Sequence, residues 1–263
     1  MPAQLDGKTI FITGSGGVLG ATYVRRMLGA GAKVVASDLP GARAEALVAA
    51  HGANDAFSFV ELDVADEAQV EGVFQRLLGM GLRPNVVLNN AAITGELLMG
   101  AGKPFPDFAN TSLADWEKTL RTNLTGAFLV ARQMDRDIVG KWPAKLINVA
   151  SMYALNAPHH DIYEGMPFRS FSAYTATKAG IHGLTLWLAS YWRKRQATVN
   201  TIAPGAVFNG HSEEFRKRVS DLIMAGRMAQ PDEIADAMLF LCSDASNYIT
   251  GQITHVDGGF NGW

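Results

Sequence analysis

Cysteine is almost missing from this chain: Cys242 is the only one. No internal disulfide can form, and a cytoplasmic setting is expected, because oxidising compartments are where disulfide frameworks persist. Strong charge of either sign is also lacking. The formal net charge of −2 supplies none of the basic field that a nucleic-acid backbone demands. No run of about 18 uncharged apolar residues is present to span a bilayer. The start, Met1-Pro2-Ala3-Gln4-Leu5-Asp6-Gly7-Lys8, lacks the charged head and apolar stretch of a signal peptide. Neither nucleic acid nor membrane is expected as a partner. The 27 glycines and 10 prolines are scattered, not pooled into linkers, so residues 1–263 read as a single domain. No set of His, Cys, Asp or Glu has zinc-like spacing. His159 and His160 are adjacent and do not share a helix face, so no metal is expected.

What is present is a globular composition, 48% apolar and 18% charged. Apolar, β-branched runs read as strands at Lys8–Thr13, Lys33–Ser37, Phe57–Leu62, Asn85–Leu88, Ala144–Val149, Thr198–Ile202 and Gln252–Val256. Between them, helical patterns cover Val18–Ala30, Ala42–Ala50, Ala68–Leu78, Leu113–Val139, Phe171–Arg195 and Ile234–Leu241. Such alternation predicts an α/β fold, a doubly wound Rossmann-type domain with a parallel sheet and helices on both faces. Two stretches break the rhythm, at about 93–112 and 156–171. Both are rich in Gly, Pro and polar residues, and long loops inside compact domains are commonly functional.

The first strand runs straight into Thr13-Gly14-Ser15-Gly16-Gly17-Val18-Leu19-Gly20. Glycines there let the backbone turn sharply and approach a pyrophosphate, while the next helix offers free N–H groups and its positive dipole end. The position after the first strand and before a helix gives the glycines their meaning. Asp38 closes the second strand. A carboxylate there can bind both ribose hydroxyls of an adenosine and repel a 2′-phosphate, which favours NAD over NADP. Arg43 is a counter-signal, since it could accept that phosphate. Asp63 ends the third strand and could meet the adenine edge or cap the following helix.

Tyr174 and Lys178 lie four apart on an expected helix and therefore share a face. A phenol titrates near 10, and an ammonium beside it lowers that value toward neutral pH. The phenol could then give or take a proton. Ser151 ends the strand Ile147-Asn148-Val149-Ala150, at the strand edge where ligands bind in doubly wound sheets. It is placed to hydrogen-bond a reacting oxygen.

With these motifs in order, the chain resembles the short-chain dehydrogenase/reductase family. The resemblance includes Asn89-Asn90-Ala91-Ala92 after the fourth strand, Asn123 in the long helix and Tyr174-Thr175-Ala176-Thr177-Lys178. It continues through Pro204-Gly205 and Asp257-Gly258-Gly259. It implies that Tyr174 is the general acid/base, Lys178 its electrostatic partner and ribose ligand, Ser151 the group that positions the substrate oxygen, and Asn123 the holder of a relay water. It implies a nicotinamide cofactor bound by Gly14, Ser15, Gly17, Val18, Leu19, Asp38, Leu39, Asp63, Val64, Asn90, Ala91, Ala92, Tyr174, Lys178, Pro204, Gly205 and Val207. A homodimer or homotetramer is implied as well, formed through the helix with Leu184, Trp187, Leu188, Tyr191 and Trp192 and the long helix before it.

Three departures from the family pattern stand out. Val18 replaces the usual glycine, with Gly17 taking its role. Ala92 replaces a glycine. The stretch between Ser151 and Tyr174 is long, and resembles that of a sugar-acting branch, the flagellin-modification oxidoreductases. Expected substrate contacts are Ser151, Tyr153, His160, Tyr163, Glu164 and Tyr174. The expected activity is hydride transfer between NAD(H) and a small-molecule secondary alcohol or ketone, on a sugar or sugar acid. Two other readings stay open. In one, Met99, Phe105, Phe108, Met152, Met166 and Phe168 line a cleft for an apolar steroid or acyl ketone. In the other, the protein is a non-catalytic NAD-binding regulator.

Overall fold

In the computed structural model, residues 4–100 and 105–262 are described, the side chain of Glu96 excepted. The strands are β1 (Thr9–Thr13), β2 (Lys33–Asp38), β3 (Phe57–Glu61), β4 (Val86–Asn89), β5 (Ala144–Val149), β6 (Ala197–Pro204) and β7 (Ile253–Val256). They form one seven-stranded sheet in the order β3-β2-β1-β4-β5-β6-β7, and every pairing is parallel. The helices are α1 (Val18–Gly29), α2 (Ala42–His51), α3 (Glu67–Gly79), α4 (Gly95–Met99), α5 (Leu113–Leu120), α6 (Gly126–Asp137), α7 (Ser172–Tyr191), α8 (Glu213–Ser220) and α9 (Pro231–Cys242).

The strands read as unbroken apolar runs because both sheet faces are covered. Successive residues serve opposite layers. Ile10, Ile12, Val34, Ala36, Val86, Leu88, Ile147 and Val149 pack with Tyr23, Val24 and Met27 of α1 and with Ile234 and Met238 of α9. Phe11, Val35, Val87 and Leu146 point the other way, onto Val73 and Phe74 of α3, Val130 and Met134 of α6, and Leu188 of α7. Strand order reverses between β1 and β4, which opens a crevice at the carboxyl ends of the strands.

The expected long helix Leu113–Val139 is divided. A π-helical turn, Arg121–Thr125, separates α5 from α6. The wider turn carries the buried Asn123, and π-turns inside helices recur at functional sites. Two helices escape the sequence pattern. One is the five-residue α4 in the first irregular stretch; residues 101–104 of that stretch lie outside those described. The other is α8, eight residues long. No helix among the described residues is long and apolar enough to cross a membrane.

Candidate active site

The glycine turn is fixed by the strand next door. Thr13 Oγ1 accepts from the N–H groups of Asn90 (3.0 Å) and Ala91 (3.1 Å). Asn90 Nδ2 donates to the carbonyls of Thr13 (3.0 Å) and Gly14 (2.9 Å). The Asn90 side chain is thus a staple holding β1 to β4. Gly14 has φ +64, and a Cβ there would fall 2.6 Å from Ala91 Cα, so only glycine fits. The Ser15 hydroxyl is buried and donates to Ser37 O at 3.0 Å. At Gly20 a Cβ would sit 2.3 Å from Gly14 O; this glycine serves helix–strand packing.

Gly17 is different. It caps α1 with φ −72, offers no side chain, and no acidic residue follows in the first turn. A Cβ there would meet only Gly14 O, at 3.5 Å. Nothing in the protein itself needs glycine at 17, whereas a ligand approaching the free N–H groups of α1 would. These residues therefore fit a dinucleotide pyrophosphate. Asp38 Oδ2 accepts from Gly16 N–H at 2.7 Å and Oδ1 from Leu39 N–H at 2.8 Å, which fixes the carboxylate at the end of β2. Leu39 and Arg43 are exposed beside it.

Asp63 does not cap α3. That place is taken by Asp66, which accepts from Gln69 N–H, while Asp63 Oδ1 accepts from Ala65 N–H at 2.9 Å. Val64 packs on Gly126, where an added Cβ would lie 2.7 Å from Val64 Cγ2. Ala92 is half-buried beyond Ala91. Across the crevice Pro204 ends β6, Gly205 N–H donates to Val256 O at 2.9 Å, and Val207 bridges Ala229.

Ser151, Tyr174 and Lys178 meet at the carboxyl end of β5. Ser151 is buried, and its Oγ accepts from Tyr153 N–H at 3.2 Å. That bond leaves the hydroxyl proton to donate toward the Tyr174 phenol. Tyr174 lies in the first turn of α7, and Lys178 Nζ is 5.5 Å from the centre of its ring. Lys178 is only 2% exposed, and its Nζ donates to Val149 O at 2.8 Å. Burial pulls the ammonium down to about 8.

In this arrangement the Tyr174 phenol lies above its ordinary value, where a lowering by Lys178 was expected. Burial raises it; the Ser151 hydroxyl works the other way, and Tyr153 adds to the rise. Asn123 is buried in the π-turn, and its side chain is fully engaged. Its Oδ1 accepts from Ile93 N–H at 2.7 Å, and its Nδ2 donates to Ile93 O (3.1 Å) and Thr177 Oγ1 (3.3 Å). Thr177 in turn donates to Tyr174 O at 2.8 Å. The side chain therefore ties the loop after β4 to the start of α7.

The second irregular stretch forms a wall beside these groups. Met152, Tyr153, Ile162, Phe215, Val219, Ile223, Met228 and Phe260 form one buried apolar cluster, against which Tyr163, Met166, Phe168 and Tyr174 pack. Phe168 and Phe215 meet edge to face at 4.9 Å. Arg218 fastens the stretch to α8 by donating to Ile162 O (3.3 Å) and Glu164 O (2.5 Å). His160 and Glu164 are exposed, and neither side chain makes a polar contact with Ser151, Tyr174 or Lys178. Of the residues proposed for an apolar cleft, Phe108 is 82% exposed. Sequence reading missed Phe215, Arg218 and Phe260 altogether. The spacing of Phe215 and Val219, one helical turn apart, was the available signal. No group of three or more His, Cys, Asp or Glu among the described residues could hold a metal ion.

A family profile described as Enoyl-(Acyl carrier protein) reductase matches residues 16–261. The D-threitol dehydrogenase of Mycolicibacterium smegmatis is 33% identical over 98% of this chain and 94% of its own. A short-chain dehydrogenase from Leptospira borgpetersenii with bound NAD+ superposes with a TM-score of 0.85 at 26% identity, covering 98% of this chain and 94% of that one. A gluconate 5-dehydrogenase from Burkholderia cenocepacia in complex with NADP and tartrate gives 0.85 at 28%, covering 99% and 97%. The chain belongs to the short-chain dehydrogenase/reductase family, oxidoreductases that act on CH–OH groups with a nicotinamide cofactor.

Proposed function

We propose that this protein is an NAD-preferring dehydrogenase of a polyhydroxylated carbinol, a sugar, sugar acid or sugar alcohol. The observation that carries the reading is the meeting of Ser151, Tyr174 and Lys178 beside a glycine cradle. A nicotinamide held there would supply the hydride acceptor or donor for the carbinol carbon. The residues handle the proton and the orientation. Ser151 Oγ–H donates to the substrate oxygen. Tyr174 Oη accepts the hydroxyl proton in oxidation and returns it in reduction. Lys178 holds positive charge behind the phenol and is the ribose ligand. Asn123 positions α7 through Thr177. Substrate screening with NAD, following nicotinamide absorbance, tests the whole reading; no turnover of any polyol would overturn it.

Asp38 supports the choice of cofactor. Its fixed carboxylate would accept two ribose hydroxyls and repel a 2′-phosphate. We expect kcat/KM to be higher with NAD, and Asp38→Ala to narrow the gap between the two cofactors. Equal or better use of NADP by the unaltered protein would defeat this and point to Arg43.

The apolar cluster at the site favours a second reading, the same chemistry on an apolar ketone. Against it stand the hydroxyls of Tyr153 and Tyr163, paired at 2.9 Å in that wall. Intact catalytic groups argue against a non-catalytic regulator. A single, buried Cys242 accords with a cytoplasmic setting.

Assembly as a homodimer or homotetramer is part of the proposal. Leu188 and Trp192 of the expected contact surface are core residues, and Trp192 Nε1 donates to Asp135 at 2.7 Å. The free part of that face is Trp187 and Tyr191, 60% and 53% exposed and stacked at 4.8 Å. An apolar aromatic patch of this kind marks an interaction surface. Light scattering at micromolar concentration should give two or four copies, and Trp187→Glu should reduce that number. A monomeric unaltered protein would refute it.

A further inference from the structure

The wall of the site contains a polar pair that the proton-transfer chemistry does not use. Tyr153 Oη and Tyr163 Oη lie 2.9 Å apart inside an otherwise apolar cluster. Tyr153 is buried, and its ring is held edge-on by Phe260 at 6.2 Å. Tyr163 is held by Phe168 at 6.1 Å and Phe215 at 5.7 Å. Neither ring is a loose surface group, and each is fixed by contacts from a different part of the chain.

A phenol hydroxyl can donate one hydrogen bond and accept others. One bond to Tyr163 leaves the hydroxyl of the buried Tyr153 with capacity to spare. Buried polar groups in such surroundings require partners, and a site built around them rejects a ligand that lacks the matching group. Tyr153 also follows Ser151 by two positions, and its backbone N–H orients the Ser151 hydroxyl at 3.2 Å. The two side chains therefore leave the same short turn, Met152–Ala154. Tyr174 packs against the same cluster that contains Tyr153, so Tyr153 lies beside both Ser151 and Tyr174.

We infer that Tyr153, braced by Tyr163, is a specificity-determining residue that hydrogen-bonds a second substrate oxygen on the carbon next to the reacting carbinol. The substrate class is then a vicinal diol or polyol. Two-point recognition follows: Ser151 and Tyr174 hold the reacting oxygen, and Tyr153 holds its neighbour. The inference rests on the polyol reading above and narrows it. It also gives the long stretch before Tyr174 a task, since that stretch supplies Tyr163. The aromatic rings around the pair pack on the carbon skeleton.

The test uses two probes that differ by one hydroxyl, 2,3-butanediol and 2-butanol, with NAD. The readout is the ratio of kcat/KM for the diol to that for the mono-alcohol. A merely structural defect lowers both and leaves the ratio alone. The unaltered protein should favour the diol, and Tyr153→Phe should cut the ratio by roughly tenfold, the order expected for a lost hydrogen bond at a desolvated site. Tyr163→Phe, which keeps the Tyr153 hydroxyl but frees it, should cut the ratio less. An unchanged ratio in Tyr153→Phe, or a parallel loss on both alcohols, overturns the inference while leaving the polyol reading intact. If the unaltered protein turns over neither these alcohols nor threitol or galactitol, the polyol reading fails, and this inference with it.

Discussion

Tyr174→Phe should lower kcat by roughly 10²–10⁴-fold, the usual contribution of a positioned acid/base, while NAD affinity persists. The substitution removes one hydroxyl and keeps the ring that packs against the Tyr153 and Phe215 cluster. A tyrosine that only filled space would lose about 1 kcal/mol of stability and little activity. Lys178, held to Val149 O at 2.8 Å, and the glycine cradle are untouched, so cofactor binding should survive. The pH dependence adds a second, independent readout. Burial raises the Tyr174 phenol above its ordinary value, so the protonated acid predominates at neutral pH. Ketone reduction is then supplied with its proton, whereas alcohol oxidation needs the phenolate. Oxidation kcat/KM should climb as pH rises from neutral, and the residual rate of Tyr174→Phe should lose that climb. Retention of more than about a tenth of kcat, far short of the expected loss, would remove Tyr174 from the mechanism. So would an unchanged alkaline limb.

The fold was legible because its strands are buried on both faces. Ile10, Phe11 and Ile12 alternate between two helical layers, and the sequence consequently shows apolar runs instead of alternation. The glycine turn, Ser151, Tyr174 and Lys178 were legible because each motif needs particular residue types at a strand end. What stayed hidden depends on contacts between distant segments. The π-turn at Arg121–Thr125 leaves no period in the sequence, since it adds a residue to one turn of an otherwise regular helix. Arg218 fastens the wall through backbone carbonyls of Ile162 and Glu164, and carbonyls carry no sequence signature. The direction of the Tyr174 shift is set first by burial, which the spacing of a Tyr and a Lys along one helix does not report.

Gly17→Ala and Gly20→Ala should separate the two tasks that the glycine turn combines. At Gly20 the new methyl would stand 2.3 Å from Gly14 O and 2.7 Å from Ser15 Cα. Both obstacles are backbone, so β1 and α1 must part. Overpacking of this kind costs about 1–3 kcal/mol, enough to lower Tm by several degrees in a chain of this size. NAD affinity should fall as a consequence of the displaced helix. At Gly17 the nearest atom is Gly14 O at 3.5 Å, an ordinary contact, and φ −72 is open to any residue. The loss of stability there should stay within about 1 kcal/mol, as for other weak helix caps. Yet the methyl would stand before the uncapped N–H groups of α1, where a pyrophosphate needs the backbone within hydrogen-bonding reach. The Kd for NAD should therefore rise at least about tenfold, the equivalent of one charge-assisted hydrogen bond, with Tm nearly unchanged. Thermal unfolding and NAD titration on the two variants distinguish the cases. A Gly17→Ala protein that binds NAD as the unaltered one does would move the cofactor's phosphates away from this helix, whatever happens at Gly20.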